Sequence, residues 1–484
     1  MKPEKDNVIV KNKDEAYVSV DCTPDIGYEL RDAFTFLVPG YQFTPQFRAK
    51  LWDGKIRLFE TRNKQMYRGL VPYIKSFCED RDYDFKYETV SETPFILSDA
   101  KQFVKSINCK FEPRDYQYEA FIHAINNKRA LLLSPTASGK SLINYLILRY
   151  INVPKILIIV PNISLVSQLY SDFADYGYDS DNRIHTIFSG RDKQSDMPVV
   201  ISTWQSLYQL PTSYFHQYDA IIGDEAHLFK AKSLIHIMTS LVNAKYRIGT
   251  TGTLDGTKTN KLVLEGLFGP VKKVITTKEL MDQKHVADFS IKCLLLKHPD
   301  DACKEAKNFH YNDEMNYLVF NDARNKFISN LALSLSDNTL VLYQYIEHGK
   351  VLYEHINRDD RKVFFIYGKT DVETREEIRH IMEKETNAII VASYGTTSTG
   401  VNIRNLHNVI FASPSKSKIR NLQSIGRSLR TSETKTSAVL YDIADDLRHN
   451  KKENYTLKHL NERVKIYSEE KFSFKLYKID LKGN

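Results

Sequence analysis

From Lys110 onward the chain alternates short apolar runs with longer stretches whose apolar residues recur at helical spacing. Residues 130–133, 155–161, 198–202, 218–224 and 246–249 read as strands, and a second series follows at 291–296, 339–343, 362–367, 388–393, 408–412 and 437–442. Runs this short and this apolar suit strands buried on both faces. Their alternation with helical segments predicts two α/β lobes, each a parallel sheet covered by helices, with a cleft between them. The break falls between about 276 and 286. The expected domains are 1–107, 108–280, 281–446 and 447–484.

The first hundred residues follow another pattern. Phe34, Phe36, Tyr41, Phe43, Phe47, Trp52 and Phe59 interleave with Arg31, Arg48, Lys50, Lys55 and Arg57, as expected of a small α+β domain whose aromatics mostly form its core. Trp52-Asp53-Gly54-Lys55 reads as a hairpin turn between Leu51-Trp52 and Ile56-Arg57-Leu58, because Asp-Gly supplies the positive φ angles such turns need. On that reading Arg48, Lys50, Lys55 and Arg57 contact phosphates and Trp52 stacks on an unpaired base. The tail after Asp446 predicts a helix striped by Leu457, Leu460, Val464 and Tyr467, then an alternating segment over 472–481.

Composition narrows the class. The 484 residues carry a formal charge of +8, which favours a polyanionic partner. Cys22, Cys78, Cys109, Cys293 and Cys303 are dispersed with no Cys-x-x-Cys pair, so reduced thiols and no zinc site are expected. The polar start and the lack of a long apolar stretch predict a soluble, cytoplasmic protein.

Three segments carry the chemistry. Ser134-Pro135-Thr136-Ala137-Ser138-Gly139-Lys140-Ser141 links a strand to a helix, where loop amides, including those of Ser138 and Gly139, can cradle phosphate oxygens. Lys140 would reach the β- and γ-phosphates of ATP, and the Ser141 hydroxyl would ligate Mg²⁺. Gly139 permits an approach a side chain would block. Ser134 replaces the usual Gly or Ala, and it is still small. Asp224-Glu225-Ala226-His227 closes the run 218–223: Asp224 would hold Mg²⁺ through water and Glu225 would orient and deprotonate the attacking water. His227 either couples the ATP site to the second lobe or caps local structure. In Gln423-Ser424-Ile425-Gly426-Arg427-Ser428-Leu429-Arg430, Arg427 and Arg430 stand one helical turn apart and can face one cleft, neutralising charge on the transferring phosphoryl group, with Gln423 beside them. Ser398-Thr399-Gly400-Val401-Asn402 offers further polar groups, Gly400 among them, near the nucleotide.

Taken together these segments resemble superfamily 2 helicases over about 111–446. The resemblance implies two RecA-like parallel-sheet lobes in tandem, with a small α+β N-terminal domain and a short C-terminal helical extension. Arg114-Asp115-Tyr116-Gln117 resembles the adenine-reading element, in which Arg114 and Gln117 hold the base and Phe111 or Tyr116 packs on it. Val160-Pro161-Asn162 and Ser202-Thr203-Trp204-Gln205 resemble strand-contacting motifs, which places Pro161, Thr203 and Trp204 on nucleic acid. Thr250-Thr251-Gly252-Thr253 resembles the motif coupling hydrolysis to movement, and 394–402 and 423–430 resemble the fifth and sixth motifs. Residues 47–58, Ser393-Tyr394-Gly395 and Lys416-Ser417-Lys418-Ile419 are similar to UvsW-type phage recombination helicases. What that family implies is ATP- and Mg²⁺-dependent remodelling of branched or forked DNA: branch migration, fork regression and unwinding of RNA–DNA hybrids in R-loops. It also implies a monomer, with single-stranded-DNA-binding or recombination proteins as partners.

Two other classes share these motor residues, an RNA helicase and the motor subunit of a nuclease complex. Pro299-Asp300 followed by Glu305 lies too close in sequence to put nuclease carboxylates on two separate strands. A scaffold that only binds ATP does not account for Lys140, Glu225, Arg427 and Arg430 together.

Overall fold

The computed structural model describes residues 7–88, 93–188, 190–254, 256–357, 361–399, 403, 405–413, 437–450 and 452–481. The chain forms two compact units, Met1–Ser134 with Gly139–Val274, and Pro135–Ser138 with Ile275–Asn484.

In the first unit a seven-stranded parallel sheet runs in the order Ile184–Ile187, Val199–Thr203, Ile156–Val160, Ala220–Asp224, Tyr246–Thr251, Arg129–Leu133, Val271–Lys273. Strand pleating sorts its side chains between two cores. Ile156, Ile158 and Val160 enter the core under the helices Asp115–Asn127, Lys140–Ile151 and Ile163–Asp175. Leu157 and Ile159 enter the opposite core, with the helices Lys232–Ser240 and Lys258–Phe268. This is the first RecA-like lobe. The strands Ile184–Ile187 and Val271–Lys273 escape a reading by apolar runs because they are edge strands interrupted by His185, Thr186, Lys272 and Lys273.

The N-terminal residues build a five-stranded sheet in the order Phe59–Glu60, Gln65–Tyr67, Tyr17–Asp21, Asn7–Asn12, Asp84–Tyr87, with the helices Pro24–Ala33 and Val71–Glu79. Its apolar residues do not close on themselves. Val8, Leu30, Leu70 and Ile74 belong to one continuous buried cluster with Leu131, Ile221, Met238 and Phe268 of the lobe. Glu15 reinforces this junction, standing 2.9 Å from Arg129 and 2.6 Å from Arg68, while its amide donates to the Val242 carbonyl. Tyr73 donates its hydroxyl to Glu265. Gly69 lies so near the lobe that a Cβ there would stand 2.0 Å from the Glu265 carbonyl oxygen.

The expected hairpin at Asp53-Gly54 is not formed. Lys55–Arg57 pairs with Thr35–Leu37, and residues 38–54 between them carry a 3-10 turn, Tyr41–Phe43, and a short helix, Pro45–Arg48. Gly54 does adopt φ +77°, but Asp53 spends its side chain on the Lys55 amide and on Arg57. The dipeptide therefore makes a local turn, and Leu51-Trp52 has no strand partner.

The second unit repeats the parallel architecture in the order Val363–Ile366, Ile389–Ser393, Thr339–Tyr343, Asn408–Phe411, Ser437–Asp446, Asp288–Lys297, Ser473–Asp480. It is the second RecA-like lobe. The tail supplies the helix Tyr455–Glu469, and the alternating segment becomes the edge strand Ser473–Asp480, parallel to Asp288–Lys297. Buried Arg463 of that helix binds Asp442 at 2.9 Å. Asp442 lies on the strand Ser437–Asp446, where Asp445, three residues on, accepts from Arg324, which also donates to the Ala412 carbonyl. Asp300 and Glu305 share one helix, Asp300–Ala306. No helix among the described residues is long and apolar enough to cross a membrane.

Candidate functional site

Three neighbouring strands of the first lobe end together. Asp224 is in register with Thr250, and Thr251 with Leu133, so the phosphate-loop sequence, the two carboxylates and the Thr-Thr pair all leave the same edge of the sheet. This is where open α/β sheets bind ligands.

Gly139 begins the helix Lys140–Ile151 with φ +78°. A Cβ at that position would stand 2.3 Å from the Gln117 amide nitrogen, so a side chain there would meet both an unfavourable backbone conformation and the Gln117 side chain. The helix presents its first amides and positive dipole end to the loop. Lys140 donates to the Ser134 carbonyl at 3.3 Å, and the Ser138 hydroxyl donates to the Pro135 carbonyl at 2.7 Å. The loop is thus ordered by its own groups, with a cation, a helix N-terminus and the Ser141 hydroxyl beside it. That donor set fits a nucleotide polyphosphate with a divalent cation, which Ser141 and Asp224 would hold.

Asp224 is partly buried and accepts from the Thr250 hydroxyl at 3.0 Å, while Asn144 donates to that same hydroxyl oxygen at 3.3 Å. Burial and the adjacent Glu225 push the Asp224 carboxyl up to about 6, against the opposing pull of Lys140 and Thr250. Glu225 takes a left-handed backbone, φ +49°, uncommon for a residue with a side chain. His227 stands 3.2 Å from the Glu225 carboxylate and 3.0 Å from the Thr251 hydroxyl. It thereby joins the carboxylate proposed to handle water to the strand end whose motif resembles a coupling element.

The adenine-side residues divide. Phe111 is half exposed and can pack on a base, whereas Tyr116 is buried. Gln117 accepts from the Arg114 amide at 2.9 Å and approaches the Gly139 carbonyl at 3.5 Å, while the Arg114 guanidinium donates to the Tyr116 hydroxyl at 2.8 Å. Sequence reasoning missed Tyr176. Its hydroxyl lies 2.9 Å from Ser141 Oγ and its ring meets Phe111 edge-on at 5.5 Å. Nothing in the local pattern marks it, since it simply follows the helix Ile163–Asp175.

Of the expected nucleic-acid contacts, Pro161 lies at the same sheet edge, its carbonyl accepting from Gln205 at 3.2 Å. Trp204 is half-buried beside Tyr208. Thr203 corrects the expectation: it is buried with its hydroxyl on Ser206 at 3.0 Å, because it starts the helix Trp204–Leu207, and exposed Gln205 carries the accessible polar group. In the N-terminal region Arg48, Lys50 and Lys55 are exposed. Arg57 is held by the Asp53 carboxylate, which that hydrogen bond keeps down at about 2. Trp52 is half-buried and donates its indole N–H to the Lys55 carbonyl at 2.9 Å, so it does not project as a free stacking platform. Gly400, Gln423, Arg427 and Arg430, together with residues 416–419, lie outside the described residues.

Comparison with known proteins finds three family models along the chain. They are the DNA helicase UvsW N-terminal domain over residues 7–88, the type III restriction enzyme res subunit over 110–256, and the helicase conserved C-terminal domain over 323–432. The chain is 36% identical to the ATP-dependent DNA helicase uvsW of Enterobacteria phage T4, over 97% of this chain and 98% of that protein. It is 25% identical to the DNA 3'-5' translocase XPB2 of Sulfurisphaera tokodaii, over 76% and 88% of the two chains. Among solved structures, the crystal structure of T4 UvsW matches with a TM-score of 0.52 at 34% identity, covering 98% of this chain and all of that one.

Proposed function

Since this chain belongs to the UvsW family of superfamily 2 DNA helicases, we propose that it is an ATP-dependent DNA helicase of recombination and repair that remodels branched or forked DNA. Branch migration, fork regression and removal of RNA from R-loops are the reactions meant. Its place of action is the cytoplasm, as for a protein working beside phage DNA in a host cell.

The convergence of Lys140, Asp224 and Thr250 at one sheet edge carries the catalytic half of this reading. Bound Mg²⁺ would neutralise phosphate charge and help orient the polyphosphate. Lys140 leaves its Ser134 carbonyl to meet the terminal phosphates. Glu225, aimed by its unusual backbone and by His227, orients water and accepts its proton. Thr250 fixes the Asp224 carboxylate. Phe111 covers the base. Arg427 and Arg430 supply positive charge to the transition state, and loss of either lowers kcat by about 10³-fold. Hydrolysis reaches the strand end at Thr251 through His227.

Measuring ATP hydrolysis with no nucleic acid, linear duplex, a four-way junction and RNA tests the reading. Junction DNA is expected to stimulate most. Turnover that ignores DNA, or answers RNA better, would overturn it.

A further inference from the structure

The connection 38–54 in the N-terminal region is a built arm. Its base is fixed: Phe36 and Ile56, paired across the two short strands, pack against the core shared with the first lobe, and the Lys258 ammonium lies 5.3 Å over the Phe36 ring. Its interior is fixed too. The Tyr41 and Phe47 rings meet edge-on at 4.7 Å, and Gly54 passes so close under Tyr41 that a Cβ would stand 2.3 Å from the ring. The Val38 amide donates to the Gly54 carbonyl at 2.9 Å.

Yet Phe43 is 69% and Leu51 80% exposed. An ordered arm that keeps two large apolar side chains in water is shaped for something else to cover them. Charge identifies the occupant. Arg48, Lys50 and Lys55 are exposed on the same arm, and Asp53, the only acid between Val38 and Leu58, is neutralised by Arg57. Exposed apolar side chains and exposed cations on one arm match nucleic acid at a branch, where base faces are uncovered and phosphates lie on both sides.

We propose that Phe43 and Leu51 are the strand-separating contacts of this helicase, packing on the bases of the terminal pair at a DNA branch while Arg48, Lys50 and Lys55 hold the flanking phosphates. This rests on the DNA-helicase reading above. Because the arm's base is part of the core of the ATP-binding lobe, the contact keeps a fixed position relative to that lobe. Duplex advancing against it would be opened one pair at a time.

The test uses the full chain with Phe43→Ala and Leu51→Ala combined. Both side chains are in water, so the melting temperature is expected to match wild type. Forked DNA carrying 2-aminopurine at the branch reports unstacking there directly. Wild type is expected to brighten the probe at the branch and not ten pairs inside the duplex. The double variant should lose that response and unwind forks at least tenfold more slowly, while hydrolysis stimulated by single-stranded DNA stays within about twofold. Phe43→Trp with Leu51→Met, which keeps the apolar area, should restore unwinding. Retained fork unwinding and retained brightening in the alanine variant would overturn the proposal, and would also be the outcome if a protein covers the arm. Failure of the underlying reading looks different, since wild type itself would then hydrolyse ATP no faster with DNA.

Discussion

The Tyr176 hydroxyl and Ser141 Oγ lie 2.9 Å apart, so the hydroxyl expected to ligate Mg²⁺ is already oriented by a tyrosine from outside the phosphate loop. Burial pushes the Tyr176 phenol up to about 12, and it therefore keeps its proton at any working pH. Tyr176→Phe removes one hydrogen bond of about 1 kcal/mol. The Mg²⁺ concentration for half-maximal hydrolysis should rise about fivefold, with kcat at saturating Mg²⁺ nearly unchanged. Magnesium titrations of the two proteins decide it, and a shift in melting temperature alone would make Tyr176 merely structural.

Asp224 and Thr250 give a pH prediction. The raised carboxyl, about 6, must be ionised to hold Mg²⁺, so kcat/KM for ATP should fall as pH drops through that region. Thr250 stabilises the charged form by donating to it. Thr250→Val should move the acid limb to higher pH. Titration of ATP itself would leave the limb in place, which separates the two origins.

Lys140 and Glu225 should fail in different ways. Lys140→Ala removes the cation meeting the terminal phosphates and should lower kcat/KM on the order of 10²–10³-fold. Glu225→Gln keeps the size and polarity of the side chain but cannot accept a proton, so nucleotide should bind with near wild-type affinity and remain unhydrolysed. Equilibrium binding of labelled ATP beside single-turnover hydrolysis distinguishes these outcomes. Wild-type turnover in either variant would sink the catalytic assignment.

Glu15 should matter to stability and leave the chemistry alone. Removing it strips the anion from largely buried Arg129, a loss of about 3 kcal/mol by analogy with broken buried pairs. Burial pushes the Glu15 carboxyl up, but Arg129 and Arg68 outweigh it and hold it below its ordinary 4.5. The sign follows: the contribution is complete above about 4.5 and is lost as pH falls through the lower folded value. Urea melts of wild type and Glu15→Ala at neutral and acid pH should therefore converge toward the acid end.

How far the sequence discloses this arrangement depends on the range of each interaction. The central strands are legible because Ile156–Val160 and Ala220–Asp224 are buried on both faces and hence apolar almost throughout. Lys140, Ser141, Asp224 and Glu225 are legible because the phosphate and metal chemistry proposed for them restricts residue type at fixed local spacing. Tyr176 and the Asn144–Thr250–Asp224 chain are not, since their partners come together only through the sheet. Asp53-Gly54 does not disclose its fold in sequence, because a positive φ is common to a two-residue hairpin and a simple turn, and only the pairing of Thr35–Leu37 tells them apart. Trp52 looked like the exposed ring, but its indole found a carbonyl and Leu51 took the outside position.

Gly69 against the Glu265 carbonyl changes what a truncation would mean. Cutting the chain after residue 107 would not subtract a recognition module from an intact motor. It would uncover part of the core containing Met238 and Phe268 and strand Arg129 without its anion, so lost unwinding could equally report a damaged engine. By the same logic a chimaera cannot borrow this module by joining sequences end to end. The helix Lys258–Phe268, with the glycine-width gap it leaves for its neighbour, is the socket that would have to travel with it.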